Sequence, residues 1–250
     1  MPRRAIPPHI RDAWQGQSIA RLRQELAAAA AAPLGAIVFD AYGTLFDLRA
    51  IEVACADLTP DAAAFAALWR AKQLEYSWQR TLLARYADFA AVTAEALDHA
   101  LARFALRPEA AARKRLLAAW TRLDPFPDVA GALAALAPHP RAILSNGTPA
   151  MLAAALRHAK LTKHFAAVLS VDAAKAYKPD PRAYDLAAAA LDLPASRILF
   201  VTANAWDAIG AKTFGYRVAW CNRAAATFDT HGPAPDAEIG SLAELAGLVG

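Results

Sequence analysis

The stretch Val38–Asp47, VFDAYGTLFD, decides the fold. It continues a short apolar run that starts at Ala36, and such a run predicts a β-strand buried on both faces. The strand ends on an acid, Asp40, which is followed by Gly43 and Thr44 in a predicted turn. Taken alone, an aspartate at the end of a strand is more often a helix cap than a nucleophile. A tyrosine, Tyr42, stands two residues after it where a second acid could have stood.

Further apolar runs alternate with helix-compatible segments, and they predict strands at 141–144, 165–170, 197–201 and 217–220. This alternation predicts a parallel sheet covered by helices on both faces, which is an α/β fold. The region 49–123 differs, because its apolar residues recur at helical spacing without a strand-like interruption. We therefore expect residues 49–123 to be an all-helical cap, residues 34–48 and 124–250 to be the core, and residues 1–33 to be an N-terminal extension.

Composition excludes several classes of protein. Of the 250 residues 20% are charged, the net charge is +4, and the basic residues are spread along the chain, so neither disorder nor nucleic-acid binding is expected. The two cysteines lack disulfide-framework or zinc spacing. No apolar run is long enough for a membrane span. Charged residues separate Arg3 from the alanine run 27–32, which opposes an export signal and predicts a cytoplasmic protein.

Polar residues follow several of the predicted strands. They are Asp40 with Thr44, Ser145 with Asn146, Lys178, and Thr202 with Asn204 and Asp207. Ligands of open parallel sheets bind beyond the carboxyl ends of the strands, so these groups are expected to meet there. Each has an ordinary alternative as a cap, a turn residue or a solvated loop lysine. Their shared placement and order favour a single site.

This order of motifs resembles the haloacid dehalogenase (HAD) superfamily over residues 34–245, and within it the L-2-haloacid dehalogenases. The strings that carry the resemblance are FDAYGTLFD, LWRAKQLEYSW, ILSNGTP, YKPDPRAY and FVTANAWDAIGAKTFGY. The resemblance implies a Rossmann-like core with an inserted helical cap. It implies a hydrolase that removes halide from short L-2-haloalkanoic acids and haloacetates, giving (R)-2-hydroxy acids by inversion through an aspartyl ester. It also implies a homodimer, with a 2-haloacid and water as the small-molecule partners.

The tyrosine at position 42 helps to distinguish a phosphatase from a dehalogenase. Phosphatases of this superfamily have a second acid at that position and another where this chain has Ala203, four residues before Asp207. Magnesium prefers several oxygen ligands, so neither a metal nor another cofactor is expected. A halide leaves without a proton, and an aspartate is already ionised at neutral pH. A small-metabolite phosphatase of the HAD type and a catalytically inactive HAD-like binding protein are the alternatives.

The resemblance also implies roles for individual residues, with Asp40 as the nucleophile and Asp207 as the base that activates water. The implied catalytic residues are Asp40, Thr44, Arg70, Ser145, Lys178, Tyr184, Thr202, Asn204 and Asp207. The implied substrate-binding residues are Ala41, Tyr42, Leu74, Phe89, Ser145, Asn146 and Trp206. Among them Arg70, Asn146 and Trp206 are expected to receive the halide. Two departures from the family pattern are Thr202 in place of the usual serine and Ala71 in place of a common glutamine.

Overall fold

The sheet of this computed structural model, which describes residues 33–249, has six strands that pair in parallel. They are β1 (Ala36–Phe39), β2 (Arg141–Ser145), β3 (Ala167–Ser170), β4 (Ile198–Thr202), β5 (Arg217–Cys221) and β6 (Ala237–Ile239). Their order in the sheet is β3-β2-β1-β4-β5-β6. The predicted α/β class and the five predicted strands are confirmed, and β6 is an additional strand.

Helices connect the strands. They are α1 (Arg49–Cys55), α2 (Ala62–Leu82), α3 (Phe89–Arg103), α4 (Ala110–Ala119), α5 (Val129–Ala135), α6 (Pro149–His158), α7 (Pro181–Leu191), α8 (Ala205–Phe214) and α9 (Leu245–Val249). Local sequence explains several helix starts, because the side chains of Asp88, Thr148 and Asp180 accept hydrogen bonds from backbone amides in the first turns of α3, α6 and α7. Proline begins both α6 and α7, where its missing N–H costs nothing.

The central strand β1 lies between β2 and β4, and its residues are fully buried. Phe39, the last residue of β1, is level with Ile143 of β2 and Val201 of β4. Asp40 follows immediately, and the carboxyl ends of the two neighbouring strands lie at the same edge of the sheet. The polar residues that follow these strands are therefore brought to one place.

Region 49–119 contains the helices α1 to α4 and no strand, which confirms its helical pattern. The two longest, α2 and α3, pack together, and Trp69 Nε1 of α2 donates a hydrogen bond of 2.9 Å to the Thr93 carbonyl of α3. The chain from Leu34 onward packs as one compact unit. The division into core and cap stays a prediction, and the expected N-terminal extension lies outside the described residues apart from Pro33.

Three further observations concern the described part of the chain. No helix in residues 33–249 combines the length and the apolar character needed to cross a membrane. In the same range, no group of three or more His, Cys, Asp and Glu side chains is arranged to hold a metal ion. Cys55 and Cys221 are buried, free thiols, and burial raises the pKa of each to about 11.

Candidate active site

The carboxylate of Asp40 lies at the centre of the polar cluster, and the side chain is 7% exposed. Its backbone N–H donates to the Val201 carbonyl at 2.9 Å, which extends the pairing of β1 with β4 by one residue. Its Oδ1 accepts from Lys178 Nζ at 2.9 Å. Its Oδ2 accepts from Thr44 Oγ1 and from Asn204 Nδ2, each at 3.0 Å. One side of the carboxylate is thus more heavily hydrogen-bonded than the other.

Lys178 is buried and places its ammonium group between two carboxylates. Its Nζ donates to Asp40 Oδ1 at 2.9 Å, to Asp207 Oδ2 at 2.7 Å and to the Leu144 carbonyl at 3.2 Å, so all three N–H groups have acceptors. Burial alone would lower the pKa of Lys178, but the charges of Asp207 and Asp40 outweigh that effect and raise it. The lysine therefore stays protonated.

Asp207 lies at the start of α8 and is fully buried. Tyr184 Oη donates to its Oδ1 at 2.7 Å, and Lys178 donates to its Oδ2. Burial raises the pKa of Asp207 to about 6, with a further contribution from the charge of Asp40, although the Lys178 charge opposes both. A carboxyl group with a pKa near neutrality is suited to accept a proton from water.

A methyl group at Gly210 should disturb the Tyr184–Asp207 contact. A Cβ at this position would lie 2.4 Å from Tyr184 Oη and 2.6 Å from Pro179 Cβ. We expect Gly210→Ala to destabilise the protein by about 1–3 kcal/mol through overpacking. We also expect it to slow turnover about 10–100-fold, because Asp207 loses an ordered donor. The measurements are urea unfolding and the steady-state halide release that the resemblance implies.

The matched control is Gly131→Ala in α5, where the added Cβ would have no neighbour within 4 Å. This exposed helix position should gain about 0.5–1 kcal/mol of stability from alanine and keep full activity. Wild-type activity in Gly210→Ala would contradict the steric argument.

The loop after β2 is held in a fixed conformation beside Lys178. Ser145 Oγ accepts from the Gly147 amide at 3.2 Å, and Ser170 Oγ donates to the Gly147 carbonyl at 2.6 Å. Asn146 Oδ1 accepts from the backbone N–H of Lys178 at 3.1 Å. The predicted residues Ser145 and Asn146 therefore lie at the same strand-end cluster as the lysine, while Ser170 supports them and was not predicted.

Tyr42 is buried in an aromatic cluster. Its ring centroid lies 6.1 Å from Phe46, 6.3 Å from Phe89 and 5.9 Å from Trp120. Its hydroxyl has the Trp120 carbonyl as an acceptor at 3.5 Å, and burial raises its pKa well above the ordinary value. A Cβ at Gly147 would lie 2.9 Å from the Tyr42 ring, so glycine is required there for close packing. Tyr42, which stands where phosphatases of the superfamily have a second acid, is thus packed among apolar aromatic side chains.

Arg70 reaches the same region from α2. Its guanidinium lies 5.8 Å from the ring centre of Trp120, and its Nη1 donates to Gln73 Oε1 at 2.5 Å. Burial lowers the pKa of Arg70, while the charges of Asp40 and Asp207 act in the opposite direction. The arginine therefore lies within electrostatic range of the carboxylate cluster and yet has no carboxylate in hydrogen-bond contact in the described range.

The three residues predicted to receive the halide are Arg70, Asn146 and Trp206. They share no hydrogen bond or ring contact in the described part of the chain; Trp206 packs against Trp78 at 5.5 Å. Trp206 also lines an apolar groove of about 770 Å³ beside α8. Thr202 Oγ1 accepts from the Asn204 amide at 3.1 Å and so supports Asn204.

The remaining predicted substrate-binding residues, Phe89, Leu74 and Ala41, differ in how deeply they are buried. Phe89 is buried against Tyr42, Leu74 is partly buried on α2, and Ala41 follows Asp40 in the buried loop. The roles assigned to all of these residues stay predictions. Gln73 and Trp120, which contact Arg70, were not predicted. The signal for Gln73 was its position three residues after Arg70, on the same helical face.

The fold and the site define an α/β protein with a buried aspartate at the carboxyl ends of its parallel strands. A buried lysine joins this aspartate to a second one. A family model for haloacid dehalogenase-like hydrolases matches residues 34–215. The chain belongs to this family.

Curated relatives and a solved structure agree with that assignment. The (S)-2-haloacid dehalogenase of Xanthobacter autotrophicus is 48% identical over 185 residues, which cover 74% of this chain and 73% of the relative. The (S)-2-haloacid dehalogenase of Pseudomonas sp. (strain YL) is 44% identical over 209 residues, covering 82% and 90%. A structure of the X. autotrophicus L-2-haloacid dehalogenase with chloropropionic acid covalently bound superposes with a TM-score of 0.83 at 40% identity, covering 86% and 98%.

Proposed function

We propose that this chain is an (S)-2-haloacid dehalogenase, which hydrolyses short L-2-haloalkanoic acids and haloacetates to 2-hydroxy acids. The observation that carries the proposal is the environment of Asp40. Its carboxylate is held by a lysine, a hydroxyl and an amide, and Tyr42 fills the position where an acid could have protonated a leaving group. Such a site suits a leaving group that needs no proton. The activities of the relatives above support the same conclusion.

The first step is an attack by Asp40 on C2 of the substrate. A carboxylate oxygen has two lone pairs in its plane, and both of those on Oδ2 are engaged by Thr44 and Asn204. Oδ1 accepts only from Lys178 in the described structure, so one lone pair is open. We therefore assign Oδ1 as the nucleophile. The Oδ1–C2 bond forms as the carbon–halogen bond breaks, C2 inverts, and halide leaves with the bonding electron pair.

The second step is hydrolysis of the resulting ester. Water attacks Cγ of Asp40 and passes a proton to Asp207, while negative charge develops on Oδ2. Thr44 and Asn204 already donate to that oxygen and therefore act as an oxyanion hole. The Cγ–Oδ1 bond then breaks, and Lys178, which lies 2.9 Å from Oδ1, donates a proton to the departing alkoxide. Asp40 is left as a carboxylic acid that holds the second proton of the water. Asp40 releases this proton to solvent and Lys178 regains a proton from Asp207, so one proton and one halide are released per turnover.

Substrate recognition follows from the surrounding charges. In this proposal Ser145 and the backbone amides of Ala41, Tyr42 and Asn146 bind the substrate carboxylate. Arg70, with Asn146 and Trp206, receives the halide, because a weakly hydrated guanidinium suits a large anion. Leu74, Phe89 and Trp206 contact the alkyl group.

One assay separates the three candidate activities. The purified chain should release halide from L-2-chloropropionate and chloroacetate at the same rate with and without EDTA, and the D-isomer should not be turned over. Phosphate release from an ester panel that requires magnesium, without halide release, would instead identify a phosphatase. Absence of both reactions in a folded preparation would identify a binding protein.

The ester step has its own test. After a single turnover in oxygen-18 water, the label should be in the peptide that contains Asp40, and the product should be unlabelled. Labelled product with unlabelled Asp40 would eliminate the ester and require direct attack of water on C2.

The raised pKa of Asp207 predicts an acid limb in the rate of ester hydrolysis. The base must be ionised to accept a proton, so the rate should fall as pH drops through about 6 and level off above it. The raised pKa of Lys178 keeps the lysine protonated through neutral pH, so no second limb is expected below about pH 10. The measurement is kcat from pH 4.5 to 9.

The first step needs no base, so Asp207→Asn should still form the ester and accumulate it. Mass spectrometry should find the Asp40 peptide heavier by the carboxyalkyl group of the substrate, bound through C2. A flat kcat profile from pH 5 to 8, or an unmodified Asp40 in Asp207→Asn, would exclude Asp207 as the base.

We also propose a cytoplasmic homodimer. The free thiols of Cys55 and Cys221 suit a reducing compartment. Leu82, the last residue of α2, lines the apolar groove and is 85% exposed, and the next residue, Leu83, is 67% exposed, which suits a subunit contact. Sedimentation velocity tests the dimer, and Leu82→Arg should shift it to monomer.

A further inference from the structure

A chain of buried polar side chains leads away from Arg70 into the contact between α2 and α3. Arg70 Nη1 donates to Gln73 Oε1 at 2.5 Å. Gln73 Nε2 donates to Thr93 Oγ1 at 2.6 Å, and Thr93 Oγ1 donates to the Phe89 carbonyl at 2.5 Å. Gln73 is fully buried and Thr93 is 2% exposed. A buried amide between two apolar helix faces lowers the stability of a protein unless its polar atoms are hydrogen-bonded. This row of hydrogen-bonded side chains therefore needs an explanation.

The direction of every hydrogen bond in this chain is determined from its far end. The Phe89 carbonyl can only accept, so the Thr93 hydroxyl must donate to it. The lone pairs of Thr93 Oγ1 are then available to the Gln73 NH₂ group, which places the Gln73 carbonyl oxygen toward Arg70. Thr93 thus selects the one amide orientation of Gln73 that attracts a guanidinium.

Arg70 is held on a second side by aromatic packing. Its guanidinium lies 5.8 Å from the ring centre of Trp120, within the range of a cation–π contact. The helices that carry this arrangement are fixed to each other at the same level, since Trp69 Nε1 donates to the Thr93 carbonyl at 2.9 Å. The guanidinium therefore has little freedom to turn.

Gln73 holds the arginine without neutralising it. In residues 33–249 the acceptor on the guanidinium is the neutral amide at Nη1, and the remaining N–H groups have no protein acceptor. A glutamate at this position would form an ion pair and reduce the positive charge available to an anion. Ala71 is exposed, so a longer polar residue there would face solvent and could not take this role.

We propose that Gln73 and Thr93 are positioning residues that orient Arg70 toward the departing halide and keep its charge uncompensated. This inference rests on the proposed dehalogenase function. In this proposal, hydrogen bonds that run from the Phe89 carbonyl through Thr93 and Gln73 fix the position of Arg70, which receives the leaving halide. Halide binding, rather than carboxylate binding, should therefore depend on Gln73 and Thr93.

The test uses Gln73→Glu, Gln73→Met and Thr93→Val in the full-length chain. Chloride and bromide affinities are measured by chlorine-35 NMR line broadening and by product inhibition, and carboxylate affinity by competition with propionate. Gln73→Glu should weaken halide affinity at least about tenfold near neutral pH, with recovery as the glutamate is protonated at lower pH. Gln73→Met and Thr93→Val should weaken it about three- to tenfold. Propionate affinity should be unchanged in all three.

Thr93→Ser and Ser77→Ala are the controls. Thr93→Ser keeps the hydroxyl and should restore wild-type halide affinity. Ser77 is a buried hydroxyl on the same helix that donates to the Leu74 carbonyl at 2.7 Å and has no contact with Arg70, so Ser77→Ala should leave halide affinity unchanged. Unchanged halide affinity in folded Gln73→Glu and Thr93→Val would overturn the inference, as would an equal loss of propionate and halide affinity.

The chlorine-35 NMR measurement of halide affinity needs no turnover, so the two proposals can fail separately. A wild-type chain that dehalogenates, with variants of unchanged halide affinity, would disprove the positioning role alone. A wild-type chain that binds halide but releases none from 2-haloacids would disprove the proposed function and leave Arg70 as an anion site. If Thr93→Val does not fold, the ratio of halide to propionate affinity in Gln73→Met decides the question.

Discussion

The Asp40→Asn variant is expected to release halide at least about 10⁴-fold more slowly than the wild-type chain. The substitution replaces a charged oxygen nucleophile with a neutral amide, which has no free negative charge to attack C2. It also removes the ion pair with Lys178, which lies 2.9 Å from Oδ1. The measurement is halide release under saturating L-2-chloropropionate, with circular dichroism to verify folding.

Asp47→Asn is the matched control, since it removes a carboxylate of the same sequence motif. Asp47 pairs with Arg49, whose side chain is 78% exposed, and this contact lies outside the polar cluster. Such a surface pair contributes little, so activity should stay within about threefold of wild type. Activity of Asp40→Asn within about tenfold of wild type would require a different nucleophile.

Lys178→Met is expected to cost both activity and stability. Methionine has a similar length and no charge, so Asp40 and Asp207 would remain as two unpaired, buried carboxylates. Removal of one partner of a buried ion pair costs about 3–5 kcal/mol, and we expect a loss in free energy of unfolding of at least this size. Halide release should fall at least about 10³-fold, because both the counter-charge and the proton donor are lost. Urea unfolding and halide release are the measurements.

The pH dependence of this variant has a definite sign. The penalty arises from the ionised carboxylates. Without the Lys178 charge, which lowers the pKa of Asp207, that carboxyl group takes up a proton at a higher pH than in the wild type, so the difference in stability from wild type should shrink as pH falls toward about 6. In the wild type the raised pKa of Lys178 makes a contribution that is complete below about pH 10 and is lost only above it. A difference that grows toward low pH would contradict the assignment of the penalty to the carboxylates.

Two further variants distinguish unpaired charge from lost packing as the cause of the stability loss in Lys178→Met. Lys178→Met combined with Asp207→Asn removes one of the two unpaired charges and should regain part of the stability, but no activity. Lys212→Met removes an exposed ion pair with Asp236 and should cost less than about 1 kcal/mol. A double variant as unstable as Lys178→Met would show that lost packing, and not charge, causes the effect.

The parallel sheet was predictable because its strands are short, apolar and buried on both faces. Each predicted run matches a strand of the structure within about two residues, as expected when burial sets the pattern. Strand β6 was missed because it has only three residues, AEI, and its central Glu238 is exposed. Pairing with β5 determines that strand, and its own sequence carries little signal.

The contacts of Asp40 were predictable for a related reason. In a parallel sheet, residues that follow the strands lie at one edge, so Lys178 and Asp207 were expected near Asp40. Lys178 follows β3, which β2 separates from β1, so its contact with Asp40 also depends on the loop between β3 and α7. The support of Arg70 is different, since Thr93 lies 23 positions further along the chain and on another helix. Its contact with Gln73 depends on how α2 and α3 pack, and helix periodicity does not encode which polar residues meet across such a contact.

The packing of Tyr42 restricts which residues this position can accept. A substitution of Tyr42 by aspartate would leave the volume of a phenol ring empty against Phe46 and Trp120, and would bury a carboxylate in an aromatic cluster. Each of these defects costs a few kcal/mol, roughly half or more of the net stability of a typical domain. Gly147 could in turn tolerate a side chain only after the ring had gone. An acid at position 42, which phosphoryl transfer would need, therefore requires compensating substitutions around it, and the single substitution alone carries the full loss of stability.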